Sequence, residues 1–165
     1  MRQTILTGAL LMTCAGALSA QRPLVVTAQN LNAASRGGGS QTVLPGDVLR
    51  YQLRFTNQNR GDVRGVVFTN PVPTGLRYID GSAGADRQDV TVEYSADGGK
   101  SFSANPIVTE VVAGKRVQKP ASPAQYTHVR WTVRGSIAPG ASVTAEFRAS
   151  LPIAQPVPDS SSHQS

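Results

Sequence analysis

The stretch from Pro45 to Asn57, PGDVLRYQLRFTN, constrains this chain more than any other. A Pro-Gly-Asp turn opens it, and then Leu49, Tyr51, Leu53 and Phe55 alternate with Arg50, Gln52, Arg54 and Thr56. Alternation at period two describes a strand with one dry face and one wet face. A lone strand cannot bury its own dry face, so the rest of the chain has to supply elements of the same kind.

It does. Pro23 to Ala28 reads as an apolar strand at a sheet edge, because Pro23 has no amide to give a ladder. Strand-like runs follow over Val63–Asn70, Leu76–Ile79, Val90–Tyr94 and Ile107–Val112, separated by turns such as NQNRGD and Asp97-Gly98-Gly99-Lys100. Ala113 to Gln125 reads as a long loop rich in Lys, Pro and Ala. In Tyr126 to Arg134, Val129, Trp131 and Val133 share one side, with His128, Arg130 and Arg134 on the other. Val143, Ala145, Phe147 and Ala149 then alternate after a Pro139-Gly140 turn. No helix-period segment follows residue 20, and 16 Gly with 11 Pro suit many short connections. The expected fold is all-β: an immunoglobulin-like antiparallel β-sandwich of seven to nine strands. Its core should include Leu49, Tyr51, Leu53, Phe55, Trp131, Val133, Val143 and Phe147.

Residues 1–20, MRQTILTGALLMTCAGALSA, read as a secretory signal, with Arg2 before an uncharged apolar run and small residues at Ser19 and Ala20. Cleavage before Gln21 leaves one sandwich domain over 21–151 and a disordered Pro/Ser tail over 152–165. The run is short for a transmembrane helix, which needs about 20 residues. An exported chain is therefore expected, destined for periplasm, extracellular space or cell surface. The alternative is lipidation at Cys14, where Leu11-Met12-Thr13-Cys14 approaches a lipobox but has Thr13 in place of a small residue. Cys14 is the only cysteine, so the mature domain has no disulfide and depends on core burial.

The formal charge of +6 favours acidic partners. The basic residues are scattered, which disfavours a nucleic-acid arm. Catalysis finds little material. Beyond the leader there is no cysteine, and the two histidines are His128, on a wet strand face, and His163, in the tail. A nucleophile with its base and orienting group cannot be assembled, nor can a four-ligand zinc site, so no enzyme and no cofactor are expected. Asp80, Asp86 and Asp89 could offer oxygens to calcium, but their spacing fits no calcium loop and Arg87 interrupts them. The glycine-rich segment before Ser40 lacks the helix that a phosphate cradle needs. Arg60-Gly61-Asp62 matches an integrin-read tripeptide and is also simply a good turn. Lys100, Lys115 and Lys119 all read as loop residues, which argues against a strand-to-strand isopeptide bond.

The wet faces carry the arginines. Arg50 and Arg54 share one strand face. Arg130 and Arg134, about 13 Å apart on their strand, are expected to join Arg148 on the face of a final hairpin, with Glu146 among them. Those three are the candidate contacts for an anionic polymer.

PGDVLRYQLRFTNQNRGDVRGVVFTNPVPTGLRYIDGSAG, with YSADGGKSF and YTHVRWTVRGSIAPGASVTAEFRASL, resembles the bacterial conserved-repeat domain (domain of unknown function number eleven) from Thr42 to Leu151. Asn70 stands where that family commonly has an acidic residue, and a single copy departs from its usual tandem layout. The resemblance implies an immunoglobulin-like fold and a place in secreted or surface-attached bacterial proteins, with no catalytic residues to transfer. The expected function is a non-enzymatic structural or adhesive module of the cell envelope. Its partners would be other envelope proteins or anionic polysaccharide. The alternative is a dedicated binding module for an anionic glycan or other acidic polymer, through the Arg-bearing strand faces.

Overall fold

The computed structural model describes residues 23–36 and 42–153. The leader, Cys14, the glycine-rich segment at 37–39, and nearly all of the Pro/Ser tail lie outside the described residues. The described chain is all-β. Its strands are β1 (Leu24–Asn30), β2 (Val48–Thr56), β3 (Val67–Pro71), β4 (Arg77–Tyr78), β5 (Gly84–Ala85), β6 (Val90–Ser95), β7 (Ile107–Val112), β8 (Lys115–Pro120), β9 (His128–Val133) and β10 (Ser142–Ser150). Two single 3-10 turns interrupt them, at Ala34–Arg36 and Pro123–Gln125.

The strands form an antiparallel sandwich. One sheet has the order β1-β2-β10-β4, with β5 also pairing β10, and the other has the order β3-β9-β6. β1 is an edge strand, as its leading proline requires. The alternation read from β2 is realised: Leu49 and Leu53 are buried, and Tyr51 and Phe55 pack half-buried against the core. β10 supplies Val143, Ala145, Phe147 and Ala149 to the same layer, in register opposite Phe55, Leu53, Tyr51 and Leu49. The facing layer comes from β9, whose Val129, Trp131 and Val133 are fully buried. Phe68 of β3 stacks on Trp131 at 5.8 Å, and Phe147 meets Trp131 from the opposite sheet at 6.1 Å. The sequence left the inward side of β3 open. Its buried residues are Phe68 and Asn70, while Val67 faces out. The ambiguity arose because Val66 packs at the core's edge before the strand begins.

The two packed sheets hold eight strands, within the expected seven to nine, and the separate pair β7–β8 brings the described residues to ten. Two expectations need correction. Part of Ala113–Gln125 is not loop: β8 pairs antiparallel with β7 over its whole length, Ile107 opposite Pro120 and Val112 opposite Lys115. Lys and Pro depress strand propensity, and β8 is exposed throughout, so no apolar alternation marked it. Lys115 and Lys119 are thus strand residues. Being exposed, they still lack the buried setting that an isopeptide bond needs. Finally, β9 and β10 are not a hairpin. β9 belongs to one sheet and β10 to the other, and residues 134–141 carry the chain between them. A connection of that length is longer than tight hairpins use. It also delivers Ile137 to the core, bridged to Val63.

The Pro-Gly-Asp opening does more than turn the chain. Asp47 N–H donates to the Leu44 carbonyl (2.9 Å) with Gly46 at φ 90°, a backbone angle glycine reaches without a clashing β-carbon. The buried Asp47 carboxylate then accepts Arg36 Nη2 (2.6 Å), Asn30 Nδ2 (2.7 Å) and the Leu44 amide (2.9 Å), all at Oδ2. Chiefly through the Arg36 hydrogen bond, its pKa falls to about 2. A carboxylate lowered on folding contributes stability that is fully present above its unfolded value and is lost as pH falls through the folded one. Part of the acid sensitivity between roughly pH 4 and pH 2 should therefore vanish in Asp47→Asn. Thermal melts across that range check it: equal acid slopes for both proteins would show that Asp47 does not carry the linkage.

Candidate binding surface

Placing β9 and β10 in different sheets separates the arginines that the sequence grouped together. Arg130 and Arg134 stand on the outer side of the three-stranded sheet, and Arg148 on the outer side of the five-stranded one, across the sandwich. Arg130 is also occupied. Its Nε (3.2 Å) and Nη2 (2.8 Å) donate to Glu93 Oε2, and its guanidinium lies over the Phe102 ring at 4.2 Å. Arg134 donates through Nε to Thr91 Oγ1 at 2.8 Å.

Arg148 has other company. In the β2–β10 register it stands directly opposite Arg50, Glu146 stands opposite Gln52, and Thr144 stands opposite Arg54. Arg50, Arg54 and Arg148 thus share the outer face of the five-stranded sheet, joining residues that the sequence placed on two separate faces. Partners directly across an antiparallel ladder have Cα atoms about 5 Å apart, and like charges there are destabilising. Among the described residues no carboxylate forms an ion pair with any of these three. Arg50 donates to Gln29 Oε1 (2.7 Å) and Arg54 to Ser142 Oγ (3.3 Å), both neutral acceptors. Glu146 lies between the arginine rows and accepts Gln52 Nε2 at 3.4 Å.

Beside them, segment 79–86 rises along the sheet and makes one wall of an open groove of about 760 Å³, floored by Gln52, Thr144, Glu146 and Arg148. The groove is open to solvent, with polar and charged side chains along its floor, so it suits an extended ligand rather than a small enclosed one. Its wall is internally braced: both Asp86 carboxylate oxygens accept the Thr144 amide at 3.0 Å, and Ser82 Oγ accepts the Arg148 amide at 3.0 Å.

The other two aspartates of this region, Asp80 and Asp89, are engaged in hydrogen bonds of their own. Asp80 accepts its neighbour's amide, at Gly81. Asp89 takes a two-pronged contact from Arg87 together with the Gly135 amide (3.1 Å), and the Arg87 hydrogen bond lowers its pKa. Among the described residues no three His, Cys, Asp or Glu side chains come together around a metal position. Asp97 is likewise used locally, accepting Ser95 and Ser101 hydroxyls and the Lys100 and Ser101 amides, with the Ser101 hydroxyl foremost in lowering its pKa. His128 Nδ1 lies 3.1 Å from Thr127 Oγ1 and its ring is edge-on to Phe102. Arg60-Gly61-Asp62 is exposed at a turn.

The arginine regrouping was not legible from local pattern, because which strands neighbour one another is decided by the whole sandwich. The length of the 134–141 connection was the available signal. Among the described residues no helix is long and apolar enough to cross a membrane. No family model matches the chain, and no curated protein matches it.

Proposed function

We propose that this chain is a non-catalytic adhesive module of a bacterial cell envelope, and that it grips an anionic glycan or similar acidic polymer along the outer face of its five-stranded sheet. The observation that carries this reading is the cross-strand Arg50–Arg148 pair, two like charges held opposite each other without an ion-paired carboxylate. Such a pair costs stability in the free protein and is relieved when an anion binds between its members. Arg54, four residues from Arg50 on the same strand face, extends the row by about 13 Å, a span suited to successive charges on an extended polymer. The leader-like residues 1–20 support export, and the resemblance over Thr42–Leu151 supports an envelope setting. The non-catalytic reading draws on the Thr127 hydroxyl beside His128, which donates to the Ser95 carbonyl (3.1 Å) and accepts the Gly98 amide (3.1 Å), a local structural use.

Retention on an anionic polysaccharide column tests the proposal. Arg50→Ser/Arg54→Ser/Arg148→Ser should elute at much lower salt than the parent, because exposed charge pairing is screened over about 8–10 Å at moderate ionic strength. Its melting temperature should hold or rise, since the like-charge pair is gone. Arg130→Ser/Arg134→Ser should elute like the parent while losing the Glu93 contact. The reverse pattern would move the contact surface to the other sheet.

A further inference from the structure

The sandwich leaves one element unused. β7 and β8 form a two-stranded ribbon, and neither strand pairs with either main sheet. Two strands alone are marginal in water. The base of the ribbon is secured: Ala121 N–H donates to the Pro106 carbonyl (2.8 Å), Lys119 pairs with Glu110 (2.7 Å), and Gln125 Nε2 reaches Glu110 at 3.5 Å. The free end is different. It runs Val111, Val112, Ala113, Gly114, Lys115, Arg116, Val117, with Val111 70% and Val112 55% exposed.

The turn at that end is chemically unusual. Ala113 and Gly114 make a two-residue hairpin turn with φ of 49° and 76°. Turns of this hand favour Asn-Gly or Asp-Gly, whose first residue tolerates positive φ and is hydrated. Ala113 is the one non-glycine residue at positive φ among those described. An alanine there bears the β-carbon clash of that region without the local hydrogen bonding by which asparagine offsets it. The ribbon's outermost point thus offers four successive residues without a polar side-chain atom, where water would favour the opposite.

Cations stand immediately behind. Lys115 is opposite Val112 and Arg116 opposite Val111, so each face of the ribbon ends in one valine and one cation. Among the described residues neither cation has an ion-pair partner. A protein groove would meet one face of the ribbon. A valine and a cation on both faces suit a medium that surrounds the tip. We propose that this tip docks on the surface of an anionic phospholipid bilayer, with Val111, Val112 and Ala113 entering the boundary between headgroups and acyl chains. Lys115 and Arg116 lay their apolar stems along the valines and keep their charged heads at phosphate level. The surface matches the tip in both respects, apolar within and negative at its rim.

Flotation of the full chain with vesicles of about three parts phosphatidylglycerol to seven of phosphatidylcholine tests this, with pure phosphatidylcholine as the neutral comparison. The parent should float with the anionic vesicles and far less with the neutral ones. Lys115→Ser/Arg116→Ser should bind roughly thirty-fold more weakly, from about fivefold per cation lost. Ala113→Asn should hold or raise the melting temperature while weakening vesicle binding, a combination that a purely structural role for the turn does not produce. Val112→Trp should be quenched by brominated lipid, against the buried Trp131 as internal reference. The Arg50→Ser/Arg54→Ser/Arg148→Ser chain should keep that tip quenching, so the polymer proposal and this one can fail separately. Absence of parent binding to anionic vesicles, undiminished binding by the Lys115/Arg116 variant, or an unquenched Val112→Trp would each overturn the proposal. So would lipid-free self-association abolished by the tip variants, which would make a second copy the occupant.

Discussion

Trp131→Ala should lower the unfolding free energy by about 3 to 5 kcal/mol, a large fraction of the roughly 5–15 kcal/mol typical of a domain. Trp131 is fully buried at the centre of β9 and is where the two sheets meet. Its ring stacks on Phe68 beside it and meets Phe147 across the interlayer gap, and its Nε1 donates to the Gly84 carbonyl at 3.1 Å. That bond fastens β5, a two-residue strand, over the core. Truncation removes the ring's transfer energy, opens a cavity and frees the Gly84 carbonyl. Trp131→Phe should lose far less, because most of the packing remains. Urea unfolding of the three proteins gives the comparison. A Trp131→Ala loss below about 1 kcal/mol would mean that the sheets do not pack through this ring.

Asn57→Asp should be the most damaging single change at the end of β2. Asn57 is 1% exposed, and its Nδ2 donates to the Gly61 (2.9 Å) and Ile137 (2.8 Å) carbonyls while Oδ1 accepts the Asn59 amide at 3.0 Å. Its own backbone N–H donates to Ala141 and its carbonyl accepts Gly140 N–H. One amide side chain therefore ties the 57–61 turn to the connection that carries the chain between sheets. Asparagine fits because it has two donors and an acceptor and no charge. A carboxylate in its place turns an oxygen toward two carbonyls and buries a charge without a cation, at about 3 to 5 kcal/mol. Asn57→Leu deprives the Gly61 carbonyl and the Asn59 amide of this partner while the Ile137 carbonyl keeps Val63 N–H; it buries no charge and should cost about 2 to 3 kcal/mol. The pH dependence separates the two. Burial raises the introduced carboxyl's pKa, so protonation relieves it and the deficit of Asn57→Asp should shrink on acidification. That trend is opposite in sign to the Asp47 contribution of the parent. A deficit in Asn57→Asp that did not change with pH would mean that position 57 is hydrated.

These two residues differ in how visible they were. Trp131 was evident as core from its alternation with Val129 and Val133, since period two needs no knowledge of neighbours. Asn57 was legible only as a turn former. Its role as a clamp depends on Ile137, eighty positions away along the chain. The same contrast runs through the binding face. Arg50, Arg54 and Arg148 were each recognisable as outward-pointing, but their grouping was not, because outwardness is a property of one strand and grouping is a property of strand order.

Period-two alternation, turn residues and the absence of helix-period segments were enough, by themselves, to determine an all-β antiparallel sandwich and most of its core. Those signals are local: side chains alternate across a pleat whatever the strand pairs with. Only the tertiary structure decided that β9 and β10 lie in opposite layers, that Arg148 faces Arg50 rather than Arg130, and that the exposed lysines of β8 form a ribbon with β7. Each depends on which ladder a strand joins. That choice is made by burying one continuous core between two sheets, a sum over contacts distant in sequence that no single stretch encodes.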